Sequence, residues 1–190
     1  KGFFCCMDKG NGLMLTSEDV DAISLKMREI VDMDIPFRRH EAQVSEAIKM
    51  FKKLGQEDKV KLLETCGEVY INYYTLDDTT DYYYDALVPS TGYLKVWSLS
   101  TYHGGMLLRV PDRHEPLKLA PFYEQPKTFD VFTETVNWNR IMGLSNVGDV
   151  NEACLNGRAS ELIQVAEALQ EKKIVQIAEE IDKRYNSPSP

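Results

Sequence analysis

The chain lacks the sequence signatures of phosphate-binding loops and of common metal centres. No glycine-rich loop leads into Lys-Ser or Lys-Thr, and G-x-G-x-x-G is absent, so these residues alone do not indicate an ATP-dependent enzyme. The four cysteines form no C-x-x-C pair, and the three histidines show neither H-x-x-x-H nor H-E-x-x-H spacing. We therefore assign no metal ligand, and we expect the cysteines to be buried, reduced thiols.

Long apolar runs and an excess of basic residues are also missing. No run approaches the roughly 18 apolar residues that a membrane-spanning helix needs, and no signal segment opens the chain. The 22 basic residues are outnumbered by 30 acidic ones, which gives a formal net charge of -8. Such a surface repels a phosphate backbone, so contact with tRNA is disfavoured although it stays open. We expect a cytoplasmic protein without a membrane partner.

What is present is a series of short strand and helix patterns, which predicts an α+β fold. Thr16, followed by Asp19, predicts the N-cap of a helix with one apolar stripe. Ser45 is predicted to cap a second helix that ends at Gly55, and a third, short helix over residues 58–66 should end at Gly67. Strands are predicted over residues 2–8, 37–44, 69–76, 94–99 and 106–110, with another starting at 79. Residues 9–12 should form a turn, and the strands on either side of Asp77-Asp78 should form a hairpin. Together the strands should form one mixed or antiparallel sheet of about five or six strands, covered by the first two helices.

The composition becomes helical after a proline-rich connection at residues 111–126. We predict an amphipathic helix over 129–141, a short helix capped by Asp149, and a long helix over 160–185 with a buried apolar side. This pattern predicts two segments, an α+β domain over residues 1–125 and a helical appendage over residues 126–190.

A functional site is expected within residues 79–92. The first half of this stretch predicts a buried strand, because it is rich in β-branched and aromatic residues. Side chains alternate along a strand, so Asp81 and Tyr83 should share one face, and Leu87 joins them if the strand continues. The second half predicts a turn in which Gly92 adopts a backbone angle that other residues avoid.

Two other features allow more than one interpretation. The Tyr82–Tyr84 run fits core and rim packing better than a platform for stacking bases, because acids surround it. His103 precedes two glycines, which favours a turn histidine over an imidazole placed at a cleft.

Several segments, taken in order, resemble one known domain. They are Gly2-Phe3-Phe4, the helix from Thr16 through Glu29, the Pro36-Phe37 start of a strand, and Asp81 through Gly92. The domain is the editing domain of threonyl-tRNA synthetase, also called its second additional domain, and the likeness spans roughly residues 1–112. In that domain, mischarged seryl-tRNA is hydrolysed in a cleft marked by H-x-x-x-H and C-x-x-x-H motifs.

The resemblance implies a degenerate cleft in this chain. Tyr83 and Leu87 occupy the C-x-x-x-H positions, whereas Lys59 and Asp81 match a lysine and an aspartate of the family's cleft. The H-x-x-x-H pair would lie before the first residue. These four residues and His103 are the five candidate ligand-binding positions, and no residue is assigned a catalytic role.

The remainder of the chain is similar to the central part of bacterial uridine-kinase-like proteins. Residues 146–151 and 167–174 look like the segment that precedes their P-loop kinase domain. The resemblance implies flanking TGS and P-loop kinase domains as partners, the kinase following residue 190. The parent protein would phosphorylate uridine or a related nucleoside with ATP and Mg, whereas no cofactor is expected for the residues printed here.

Three functions follow from these observations. A non-catalytic accessory module is favoured, because the cysteine and histidine positions are lost and the chain is acidic. The first alternative is a nucleic-acid-contacting domain or aminoacyl-tRNA deacylase that uses Lys59 and Asp81. The second is a small-molecule sensor in which the Tyr82–Tyr84 rim grips a nucleoside or an amino acid.

Overall fold

The computed structural model describes residues 2–10 and 14–186 and has the predicted α+β architecture. The strands in these ranges are β1 (Phe3–Cys5), β2 (Arg38–Gln43), β3 (Tyr70–Leu76), β4 (Thr79–Tyr82), β5 (Ser98–Tyr102) and β6 (Gly105–Arg109). The α-helices are α1 (Ser17–Asp32), α2 (Val44–Lys53), α3 (Glu57–Thr65), α4 (Pro126–Ile141), α5 (Val147–Leu155) and α6 (Ala159–Asn186). A short 3-10 turn covers Thr91–Tyr93.

The chain divides into two compact units. The first unit combines Lys1–Glu41 with Asn72–Glu124, and the second combines Ala42–Ile71 with Gln125–Pro190. This grouping by packing places α2 and α3 with the C-terminal helices. The division into domains at residues 125 and 126 stays a prediction.

The strands form two sheets instead of the single sheet that was predicted. One three-stranded sheet has the order β1-β6-β5, and the other has the order β2-β3-β4. In the first sheet, β6 pairs antiparallel with β1 on one side, where Leu108 faces Phe3, and with β5 on the other, where Leu108 faces Leu99. Each sheet therefore has two edge strands, and β4 is one edge strand of the second sheet.

The start of α1 has the predicted cap. The Thr16 hydroxyl accepts the Asp19 N–H at 3.2 Å, and the Asp19 carboxylate accepts the Thr16 N–H at 2.8 Å. Lys9 adds an ion pair to Asp19 at 2.6 Å. The Lys9 ammonium and the Thr16 donors lower the pKa of Asp19 from 3.8 to about 2, because all of them stabilise the carboxylate form.

Two expected helix caps are wrong. Ser45 lies inside α2, whose N-cap is Gln43, and the Val44 N–H donates to the Val69 carbonyl at 2.9 Å. The strand thus runs directly into the helix, and a carbonyl takes the place of a capping side chain. In α5 the cap is Asn146, and Asp149 is its partner three residues on, completing a capping box.

The strand predicted over residues 94–99 is also misplaced. A 3-10 turn at Thr91–Tyr93 comes shortly before it, and the strand itself runs from Ser98 to Tyr102. Trp97 precedes it and is buried in the first unit. The core of this unit also contains Val20, Tyr74 and Met106.

The core of the second unit lies between α2, α3 and α5. Its buried apolar side chains belong to Ala47, Phe51, Val60, Leu63, Ile71 and Ala153. Gly148 lets α5 approach α3 closely, because a Cβ there would lie 2.9 Å from the Leu62 nitrogen. Beside this contact, the Lys61 ammonium lies 2.8 Å from the Asp149 carboxylate and 3.1 Å from that of Glu152. Their mutual contact raises the pKa of Lys61 and lowers that of Asp149.

The apolar sides predicted for the later helices are not buried. No residue of α4 or α6 is classed as buried in the described part of the chain. Ile174 and Ile181 of α6 are 58% and 62% exposed. The periodicity therefore predicted these helices correctly, but it did not predict that their apolar sides are exposed.

Burial of the cysteines was predicted and is wrong for two of them. Cys6 and Cys154 are exposed, and Cys5 and Cys66 are half-buried. Cys6 follows the end of β1, where no sheet neighbour covers it. The expected turn at residues 9–12 lies partly outside the described residues. In the ranges that are described, no helix combines the length and the apolar character of a membrane span.

The low pKa of Asp19 predicts a pH-dependent contribution to stability. A carboxyl whose folded-state pKa is lowered stabilises the fold fully above its ordinary value of 3.8, and this contribution disappears as the pH falls through about 2. Asp19→Asn should therefore lower the urea midpoint at neutral pH, and the difference from wild type should vanish near the lower value. Asp21→Asn, in the same helix but outside the capping box, is the control. A pH-independent difference would contradict this account.

The close approach at Gly148 predicts that replacing this glycine by alanine lowers the free energy of unfolding, although the same change usually raises it in a helix. In an open helix, Gly→Ala stabilises by about 1 kcal/mol. Here Gly148→Ala should destabilise the chain by about 1–3 kcal/mol, because the new methyl group meets the α3 backbone. Chemical denaturation measures the change. Val147→Ala, at an exposed position of the same helix, should have a smaller effect, and stabilisation by Gly148→Ala would disprove the clash.

Candidate functional site

Tyr74 is the centre of the candidate site in the first unit. It lies on β3, is 6% exposed, and faces Asp81 across the antiparallel pairing with β4. The strands are joined through Asp77, whose φ of 46° is in the left-handed region that Asp and Asn tolerate better than most residues. The hairpin predicted across Asp77 and Asp78 is confirmed.

Tyr74 brings together three of the predicted positions. Its ring packs edge to face with the ring of Tyr83, with centroids 6.2 Å apart and an interplanar angle of 77°. Its hydroxyl oxygen accepts the Leu87 N–H at 3.3 Å. With Asp81 opposite on β4, one buried side chain thus organises the segment that carries Asp81, Tyr83 and Leu87. Sequence reasoning missed Tyr74, although its place in a strand rich in tyrosine is a signal for it.

The expected alternation along a long, buried β4 is wrong. The strand is half-buried and ends at Tyr82, so Tyr83 and Leu87 lie beyond it. The Asp81 carboxylate accepts the Tyr82 N–H at 2.7 Å. This local bond competes with the sheet ladder and is a physical reason for the strand to end there.

The tyrosine run packs largely on itself. The rings of Tyr82 and Tyr84 lie 5.1 Å apart and are inclined at 60°. Tyr84 is nevertheless 75% exposed and Tyr83 is 44% exposed. The run therefore forms a largely exposed aromatic rim, and the choice between packing and base stacking stays a prediction.

Lys59 and His103 belong to other elements of the structure. Lys59 belongs to α3 in the second unit, and its ammonium lies 3.3 Å from the Asp58 carboxylate. His103 is exposed in the turn between β5 and β6 with a φ of 43°, and its ring contacts Tyr102 edge to face at 4.3 Å. His103 thus belongs to the sheet that does not contain β4. The roles of both residues stay predictions.

The second half of the stretch is fixed by a buried threonine. Thr91 is 2% exposed; its hydroxyl donates to the Ile30 carbonyl at 2.6 Å and accepts the Ile35 N–H at 2.9 Å. Its own N–H donates to the Ile35 carbonyl. These three bonds hold the segment against the end of α1 and satisfy the buried hydroxyl.

The expected backbone role of Gly92 is wrong. Its φ is not in the left-handed region, which Asp34 enters instead with a φ of 51°. Glycine is needed at position 92 because a Cβ would collide with the Asp34 carboxylate. That carboxylate accepts the Gly92 N–H at 3.0 Å and the Ser90 hydroxyl.

What these groups can do chemically is limited. Tyr83 and Leu87 offer a phenol and an isobutyl group, of which only the phenol can form a hydrogen bond. Within the ranges 2–10 and 14–186, no three His, Cys, Asp or Glu residues are grouped so that they could hold a metal ion.

Comparison with known proteins gives one consistent relationship. The chain is similar to threonine–tRNA ligases. It is 34% identical over 89 residues to the ligase of Geobacter sp. (strain M21) and 37% identical over 90 residues to that of Marinobacter nauticus, covering 47% of this chain and 14% of each ligase. The ligase of Laribacter hongkongensis is 42% identical over 86 residues, which is 44% of this chain and 13% of the ligase. No protein-family model matches the chain.

The similarity confirms the threonyl-tRNA synthetase likeness predicted from the sequence. The matched region amounts to about one seventh of the length of the ligases. The matches thus relate a part of this chain to a small part of each ligase.

The position of Tyr74 predicts a specific effect of removing its hydroxyl. Tyr74→Phe keeps the ring but leaves the Leu87 N–H without its acceptor, which should cost about 1 kcal/mol of unfolding free energy. The Leu87 amide should exchange its hydrogen faster, as measured by NMR. Tyr84→Phe, with an exposed ring, is the matched control. Unchanged protection of Leu87 in Tyr74→Phe would exclude the bond.

Proposed function

We propose that this chain carries a tRNA-editing-like domain that has lost hydrolytic activity and serves as an accessory module of a larger protein. The similarity to threonine–tRNA ligases supports the editing-like assignment, together with the ordered segments that resemble the editing domain. The loss of hydrolysis rests on one observation, the side chains at positions 83 and 87.

Hydrolysis of an ester requires a group that positions or activates water. A leucine side chain has no polar atom, and a neutral phenol is a poor general base. In this structure the Tyr83 ring is packed on Tyr74, and the Leu87 backbone is bonded to the same residue. The Tyr83 ring therefore takes part in packing, the contact at Leu87 is made by its backbone, and Lys59 and Asp81 are left as the polar groups that match the family's cleft.

The charge of the chain argues in the same direction. A formal net charge of -8 opposes a phosphate backbone, and no long basic stretch offsets it. A module that packs against neighbouring domains of its own protein needs no attraction to a phosphate backbone.

For the parent protein we propose a nucleoside kinase of the uridine-kinase type. The support is the resemblance of residues 146–151 and 167–174 to the segment before the kinase domain of those proteins. ATP and Mg would belong to that domain, and TGS and kinase domains would be the neighbours of this module. A P-loop motif encoded shortly after residue 190 would support the proposal, and an unrelated sequence there would overturn it.

The loss of hydrolysis predicts a negative result with a defined control. Incubated with tRNA(Thr) mischarged with serine, the chain should release serine no faster than a protein-free sample. The ligase of Laribacter hongkongensis serves as a reference for the same assay. Release above the background that is lowered by Lys59→Ala or Asp81→Asn would establish the deacylase alternative instead.

A further inference from the structure

The first unit contains an apolar cavity whose lining does not include Tyr74, Asp81, Tyr83 or Leu87. Its volume is about 400 Å³, within the range of roughly 300–1,000 Å³ that is common for small-molecule sites. One wall is the inner face of α1, another is β6, and the third is the segment that leads from Thr91 to Trp97. The lining is almost entirely aliphatic and aromatic, and it includes Ile30, Phe37, Val96, Trp97, Leu108 and Val110.

A wider, charged recess adjoins this cavity. The two share four lining residues, Val31, Tyr93, Lys95 and Trp97, so the recess forms an entrance to the apolar space. Arg28 belongs to the recess as well. A molecule that enters would therefore meet charged groups first and apolar groups beyond them.

Two cations at this entrance have no acidic partner. The Arg28 guanidinium lies over the Trp97 ring, with its carbon 4.6 Å from the ring centroid. In the described part of the chain, no carboxylate lies within ion-pair distance of Arg28 or Lys95.

The recess also contains two acidic groups, Asp32 and Asp34, so its cations and carboxylates are equal in number. Asp34 accepts the Ser90 hydroxyl and the Gly92 N–H, which fix the turn. Asp32 is exposed on the last turn of α1. Among the described residues, neither carboxylate forms an ion pair with Arg28 or Lys95.

We propose that this cavity binds a small organic monocarboxylate with an apolar, aromatic body. The carboxylate would contact Arg28 and Lys95, and the body would fill the space beside Trp97. A guanidinium stacked on an aromatic ring keeps its edge N–H groups available for a carboxylate, which it can bind with two parallel hydrogen bonds. Because the lining is apolar, removing an apolar part of the ligand from water favours binding. This proposal does not depend on the proposed function, because it uses none of the residues around Tyr74.

The probe for the test is 4-phenylbutyrate, and the signal is the fluorescence of Trp97. Trp138→Phe removes the second of the two tryptophans and serves as the background for all variants. The probe should change the emission in a saturable manner, and the uncharged 4-phenylbutanol should bind at least several-fold more weakly. Arg28→Gln and Lys95→Gln should each weaken binding of 4-phenylbutyrate by about tenfold, as expected for loss of a charge-assisted hydrogen bond.

Matched variants separate this site from general effects. Lys26→Gln removes an exposed cation from the same helix and should leave the affinity unchanged. Val110→Phe should abolish binding by filling the cavity, while the charged groups stay in place. Lys95 is exposed, so Lys95→Gln should fold normally even if loss of the Arg28 stack disturbs the unit.

Three results would overturn the proposal: no saturable binding at millimolar probe, equal affinity for the alcohol, or equal affinity in Lys95→Gln and Lys26→Gln. Saturable binding that depends on Lys95 and is blocked in Val110→Phe would establish it. Hydrolysis of mischarged tRNA by the chain would leave this result unaffected, so the two proposals can fail separately.

Discussion

The hydroxyl group of Thr91 is the contact on which the arrangement of the first unit depends. It is buried, and it joins the carbonyl of Ile30 in α1 to the N–H of Ile35 beyond the helix. A valine there would have a similar shape but would leave a buried carbonyl and a buried N–H unsatisfied. The residues that follow Thr91 form one wall of the apolar cavity, so this hydroxyl also determines where that wall stands.

Tyr74 holds the same connecting segment at an earlier point. Its hydroxyl fixes the backbone at Leu87, and its ring supports Tyr83. Between β4 and β5 the chain is therefore held by polar contacts on both sides of Pro89.

The sequence predicted the features that depend on neighbouring residues. The Thr16 cap, the ends of α2 and α3 at glycine and the hairpin at Asp77 each follow from a few adjacent side chains. It did not predict the bond from Val44 to Val69 or the stack of Arg28 on Trp97, because those partners are distant in sequence. Within the candidate site, the sequence singled out residues 79–92 but not Tyr74, because nothing local identifies which tyrosine is buried.

The positions of the cysteines have a consequence for handling the molecule. Cys6 lies in the first unit and Cys154 in the second, and both side chains face solvent. The two remaining thiols are partly shielded, so a maleimide reagent should react first with one cysteine in each unit. Energy transfer between a donor and an acceptor dye attached in this way would report the distance between Cys6 and Cys154 without any substitution in the chain.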